Sequence, residues 1–189
     1  GVFCPVCRRS ELLLEAMPGL LNLDGAVMGY KYDGALKEML HKLKFEGESK
    51  FLQPLAEEAA FLVQAYGESG FDMVVSVPTD AVRRRQRGFD IPESIFAQAL
   101  AVKGAWQPQV LARIKATAPQ YGLVPDKRRS NVRGCFAVQG DVRGKKILLV
   151  DDILTTGATL DEAAKTLKQA GAKSVYALTL CGSLENFKD

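Results

Sequence analysis

The 189-residue sequence has a single histidine, a single tryptophan and four cysteines. It contains no apolar run approaching the 18 or so residues that a membrane-spanning helix needs, and it carries no secretory signal pattern. Cys4 and Cys7 form one C-x-x-C pair, while Cys135 and Cys181 stand alone. Four cysteines so arranged are not a disulfide framework, and a reducing cytoplasm is the expected compartment. Internal repeats and low-complexity segments are absent, as is the G-x-x-x-x-G-K-[ST] spacing of a Walker loop. The lone histidine, His41, sits beside an apolar stripe and reads as a packing or surface residue. With 47% apolar and 25% charged residues and a net charge of +3, the composition is that of an ordinary globular domain. The charge alone says little about nucleic acid.

The apolar pattern predicts alternating helices and strands. Leu36, Met39, Leu40 and Leu43 make one helical stripe from Gly34 onward, and Leu52 to Tyr66 continue a second helix that stops near Gly67. Strands are expected at 71–78, 108–114, 135–138, 145–150 and 174–182. Further helices are expected over 93–103 and through Leu160, Ala163, Ala164 and Leu167, closed by Gly171. Residues 115–134 lack apolar periodicity and read as a long charged loop. Such an order implies an α/β domain with a central parallel sheet covered on both faces. A boundary is expected near 18–30, separating a cysteine-bearing segment (1–24) from the main domain (25–189).

One stretch carries chemistry. "KKILLVDDILTTGATL" (145–160) runs an apolar strand into Asp151 and Asp152, then into Thr155, Thr156, Gly157, Ala158 and Thr159 ahead of a helix. A parallel strand delivers its C-terminal end to the ligand crevice of an α/β fold. Two carboxylates there repel each other and need a cation or hydroxyl donors. The first amides of a helix lack internal partners and favour phosphate, and Gly157 permits close approach or φ > 0. A ribose carrying a 5′-phosphate fits both halves.

That stretch resembles the phosphoribosyl pyrophosphate (PRPP) signature of type I phosphoribosyltransferases. With "YDGALKEMLHKLKFEG" (32–47), "VPTDAVRRRQRGFD" (77–90) and "TAPQYGLVPDKRRSNVRGCF" (117–136) in this order, the chain resembles the ComF family, phosphoribosyltransferase-like proteins linked to DNA uptake. The resemblance covers roughly 25–182 and departs from the family at Asp80, Asp90 and Ile91, where His, Asn and Gln are usual.

The resemblance implies a type I phosphoribosyltransferase fold with an N-terminal helical hood segment. It implies that Asp151 and Asp152 hold the ribose hydroxyls and that residues 155–159 hold the 5′-phosphate. Thr79, Asp80, Arg83 and Arg87 would border the pyrophosphate. Lys115 and Arg128, on a hood loop, would bring positive charge to the leaving group. The implied cofactor is Mg²⁺ bound with PRPP. Zn²⁺ at Cys4 and Cys7 is a further possibility, because relatives carry additional N-terminal cysteine pairs. The reaction would be transfer of the phosphoribosyl group to an acceptor that the sequence does not identify. The alternative is a module without catalysis, binding single-stranded DNA or a competence helicase and gated by PRPP.

Overall fold

In the computed structural model, residues 22–67, 70–100, 105–117 and 125–183 are described. Cys4, Cys7 and the side chain of Arg128 lie outside them. The elements are β1 (Gly25–Lys31), α1 (Gly34–His41), α2 (Leu52–Leu62), β2 (Met73–Ser76), α3 (Ala81–Arg87), α4 (Ile91–Leu100), β3 (Leu111–Arg113), α5 (Pro125–Val132), β4 (Phe136–Val138), β5 (Lys146–Leu154), α6 (Ala158–Gln169) and β6 (Ser174–Gly182). A π-helical turn, Lys42–Glu46, prolongs α1.

Four strands form a parallel sheet in the order β1-β6-β5-β2. The inner strand β5 is buried almost without interruption from Ile147 to Val150, as expected when helices cover both faces. On one face Ile147, Leu149, Val175 and Ala177 pack with Leu160, Ala163, Ala164 and Leu167 of α6. On the other, Leu148, Val150, Leu178 and Leu180 meet Leu36, Leu40 and Leu43 of the α1 segment, Leu55 and Leu62 of α2, and Ile95 and Phe96 of α4. The apolar stripes read from the sequence are therefore the faces that cover the sheet.

Several elements differ from expectation. β1 is a strand that the apolar pattern did not announce, and it pairs along its length with β6. Its composition hid it: Gly25 and Gly29 are poor strand formers. Gly29 is nevertheless required by packing, since a Cβ there would lie 2.2 Å from Leu62 Cδ1 and 2.7 Å from the Leu180 carbonyl oxygen.

The expected strands at 108–114 and 135–138 shrink to β3 and β4. These pair antiparallel with each other, outside the main sheet. A 3₁₀ turn over Pro108–Val110 replaces the first half of the former. The charged loop 115–134 contains a helix, α5. It is polar up to Val132, so no stripe announced it, but Pro125 at its first position suits a helix start.

Candidate functional site

The sheet sets the site. β2 and β5 are parallel neighbours with Ser76 opposite Val150, and the Val77 amide donates to the Val150 carbonyl at 2.9 Å. Their C-terminal ends therefore open side by side. β2 delivers Pro78, Thr79 and Asp80, and β5 delivers the acid pair. Around these ends lies a cavity of about 440 Å³. It is lined by Thr79, Asp80, Arg83, Arg87, Asp151 and Asp152 and by all five residues from Thr155 to Thr159. Of the candidates read from the sequence, Lys115 is exposed and is not among the lining residues.

The acids do not follow β5, as the strand at 145–150 implied. They lie inside it, because pairing with β6 continues through Asp151 opposite Thr179 to Leu154 opposite Gly182. Successive side chains along a strand take opposite faces. Asp152 takes the face covered by α1, and there Lys44 meets it, Nζ to Oδ2 at 2.8 Å. Burial disfavours the Lys44 charge, but Asp152 outweighs it and raises the ammonium pKa above its ordinary value. Asp151 accepts the Asp152 amide at 2.8 Å through Oδ1. Burial, reinforced by the adjacent Asp152 charge, pushes its carboxyl well above the ordinary 3.8, and Lys44 offsets only part of this.

Lys44 was not singled out from the sequence. The signal was present: it stands four residues after Leu40, where the apolar stripe of α1 would continue. The π turn gives the helix an extra residue at this point, a distortion frequent at functional sites. Arg87 Nη2 then donates to the Lys44 carbonyl at 2.8 Å, tying the turn to α3. Arg87 Nε is enclosed and has no acceptor among the described residues, and burial lowers the guanidinium pKa despite the nearby Asp152 and Asp90 charges.

The turn from β5 into α6 is built around Gly157. Gly157 has φ 71°, ψ −2° and precedes the first residue of α6. The Gly157 carbonyl accepts the Asp161 amide at 2.8 Å, which starts the helix. Thr156 and Ala158 are nearly enclosed beside it.

On α3, helical spacing sorts the four arginines. Arg83 and Arg87 are i, i+4 neighbours lining the cavity, whereas Arg84 and Arg85 are exposed and absent from its lining. Arg84 lies 3.7 Å from Glu93.

Asp80 and Asp90 are occupied by backbone. Asp80 caps α3, accepting the Val82 and Arg83 amides at 3.0 and 3.4 Å, and it also accepts the Thr117 amide at 3.3 Å. Burial alone would raise its pKa, but the Thr117, Val82 and Arg83 amides hold it below the usual value. Asp90 accepts the Thr79 amide at 2.7 Å and the Glu93 amide at 3.3 Å, so it joins the start of α4 to the loop after β2. Aspartate caps a helix as well as asparagine does. Ile91 is buried in the core. All three departures from the family pattern thus have structural employment.

Part of the remaining wall comes from Tyr32 and, in the α1 segment, from Lys37, His41 and Phe45. The ring centroids of His41 and Phe45 are 4.7 Å apart, and Phe45 is 58% exposed at this wall. The isolated cysteines, Cys135 and Cys181, are buried free thiols. No group of three or more His, Cys, Asp or Glu side chains gathers to hold a metal among the described residues. Among them, too, no helix is long and apolar enough to cross a membrane.

Comparison with known proteins places this geometry in a family. A model of the phosphoribosyl transferase domain matches residues 95–188. The DNA utilization protein YhgH of Salmonella typhimurium is 33% identical over 159 residues, covering 81% of this chain and 70% of that protein. The competence protein ComFC of Streptococcus pneumoniae is 30% identical over 186 residues, covering 94% of this chain and 79% of that one. Among solved structures, a hypoxanthine-guanine phosphoribosyltransferase from Bacillus anthracis aligns with TM-score 0.49 and 17% identity, over 73% of this chain and 74% of that one. A central parallel sheet, an acid pair within β5 and a threonine–glycine turn into α6 thus accompany relatives that cover most of both chains, and the protein belongs to the ComF family of phosphoribosyltransferase-like proteins.

Proposed function

We propose that the protein binds PRPP together with Mg²⁺ and transfers its phosphoribosyl group to an acceptor nucleophile, releasing pyrophosphate. The observation that carries this reading is the convergence of three chemistries in one cavity: the carboxylates of β5, the helix start at Gly157, and the α3 arginines. Residues 155–159 would hold the 5′-phosphate through helix-start amides and hydroxyls. Asp151 and Asp152 would accept hydrogen bonds from the ribose hydroxyls, which suits Asp151 because hydroxyl donors stabilise its disfavoured charge.

Thr79, Arg83 and Arg87 would face the diphosphate. Asp80 would act there by holding α3 and Thr117 in place. In the transfer, the C1–oxygen bond to diphosphate breaks and diphosphate leaves with the electron pair. A bond from the acceptor to C1 forms, and the acceptor gives up its proton. The chain mainly positions the partners and neutralises charge. Lys115 and Arg128 are proposed to add positive charge at the leaving group.

The donor set fits Mg²⁺. Magnesium commonly takes one or two carboxylates with substrate phosphates and water, not an all-protein cage. When bound, it would neutralise diphosphate charge. Zn²⁺ at Cys4 and Cys7 would require two ligands from elsewhere, since Cys135 and Cys181 are enclosed in the core.

Calorimetric titration of PRPP with Mg²⁺ tests the proposal. Saturable binding that Asp152→Asn abolishes is expected. Absence of binding at millimolar PRPP would overturn it.

A second reading, a module that contacts single-stranded DNA or a helicase, draws on the relatives' names and on the exposure of Arg84, Arg85, Lys127 and Arg129. Exposed cations of this kind can follow a phosphate backbone. The two readings are compatible, with PRPP gating the contact. A cytoplasmic location accords with both.

A further inference from the structure

We propose that Lys44 is a specificity residue of this site, its ammonium bridging Asp152 and an anionic oxygen on C1 of the bound sugar. The inference rests on the phosphoribosyl reading and adds to it a criterion for choosing between ligands. A ribose phosphate without a charged C1 substituent would satisfy the acids and the 5′-phosphate cradle but would leave Lys44 half used.

The first argument is a count of donors. A lysine ammonium has three N–H groups. Lys44 lines the cavity and gives one short bond, to Asp152 Oδ2. No other acceptor for its ammonium is found among the described residues, and the Lys44 side chain, 26% exposed, lines the cavity. The second argument is position. Lys44 comes from the α1 segment, whereas the phosphate cradle comes from the β5–α6 turn; the two are separate contributions to one cavity. The proposal assigns to Lys44 a second anion on the ligand, distinct from the 5′-phosphate held at the β5–α6 turn.

The third argument is rigidity. Arg87 Nη2 holds the Lys44 carbonyl at 2.8 Å, the π turn fixes the helix register, and Gly47 closes the turn at φ 70°. A lysine is ordinarily a flexible point charge, and here its backbone is pinned beside another cavity cation, Arg87. Charge count points the same way. The lining holds three carboxyl groups, Asp80, Asp151 and Asp152, against five cations: Lys37 and Lys44 from the α1 segment and Arg83, Arg87 and Arg113 from α3 and β3. Diphosphate placed between them meets cations on both sides, and the Asp152 charge facing it is already neutralised by Lys44.

The experiment compares PRPP with ribose 5-phosphate by calorimetry, both with Mg²⁺, in wild type, Lys44→Met and Lys44→Arg. Expected is a loss of about 10- to 100-fold in PRPP affinity in Lys44→Met, the scale of one charge-assisted hydrogen bond. Ribose 5-phosphate affinity should change far less, so the preference for PRPP collapses. Lys44→Arg should restore part of that preference, because it keeps a cation at the position. A purely structural lysine would weaken both ligands together, and that result would overturn the proposal. So would unchanged PRPP affinity in Lys44→Met, or equal binding of the two sugars by wild type, either of which leaves the ribose phosphate site intact.

Wild type binding neither sugar would overturn the phosphoribosyl reading itself, and this inference with it.

Discussion

Asp151 and Asp152 are neighbours in sequence, yet the fold gives them different electrostatic lives. Asp152 is nearly enclosed and has Lys44 at 2.8 Å. Asp151 has no ion pair among the described residues, and burial with the adjacent charge raises its pKa well above 3.8. A carboxyl whose folded pKa is raised binds protons more readily when folded. Its contribution to stability is full below the unfolded value and is lost as pH rises through the raised folded value. Asp151→Asn removes that dependence. Urea unfolding should therefore show the variant gaining stability relative to wild type as pH rises above the unfolded carboxyl pKa of about 3.9. A difference independent of pH would sink the assignment. Asp152→Asn should instead cost about 1–3 kcal/mol, because it leaves a half-enclosed lysine without its partner. The same denaturation series measures it.

The chemistry of these residues could be read from the strand–acid–acid–threonine–glycine order, because each part is local. The cation that compensates the acids could not, since it arrives from more than a hundred residues away. A lysine prolonging an apolar stripe was its only trace.

At the scale of elements, α3 shows how a short helix can be held by its start. Seven residues rich in arginine have little intrinsic stability, and the cap at Asp80 satisfies two of the first amides while reaching across to Thr117. Thr117 is further held by Arg83 Nη2 on its carbonyl, at 3.1 Å, and by Arg113 Nη2 on its hydroxyl, at 2.8 Å. Asp80→Ala should cost about 1–2 kcal/mol, the loss of a good cap, while Asp80→Asn should keep most of it. Chemical denaturation of the two variants separates them; equal losses would mean that charge, not capping, matters at this position.

On the other side of the sheet, β1 is specified by packing more than by strand propensity. Gly29→Ala should destabilise by about 1–3 kcal/mol, the usual cost of overpacking, since one of the two obstructing neighbours is the Leu180 carbonyl of the adjacent strand. A melting temperature unchanged from wild type would contradict this. β1 escaped sequence reading for the same reason: its glycines look like breakers until the partner strand is in view.

For the whole molecule, the surface and the cavity separate cleanly. Arg84 and Arg85 point away from the site that Arg83 and Arg87 line. Replacing Arg84 and Arg85 together by Ala should leave PRPP affinity within about two-fold, as expected of exposed charges. Fluorescence anisotropy with single-stranded DNA should fall for this variant if the DNA reading holds. Loss of PRPP binding, or retained DNA binding, would each contradict the division of labour.

The sequence by itself determined the layered α/β architecture, the amphipathic faces of α1, α2 and α6, the inner strands β5 and β6, and the turn at Gly157 that opens α6. All of these follow from local periodicity and short-range chemistry. Tertiary structure alone decided that β3 and β4 leave the main sheet and that β1 completes it. It also decided that Lys44 neutralises Asp152. Those outcomes depend on strand pairing and on contacts between distant segments, whose energies no local pattern encodes.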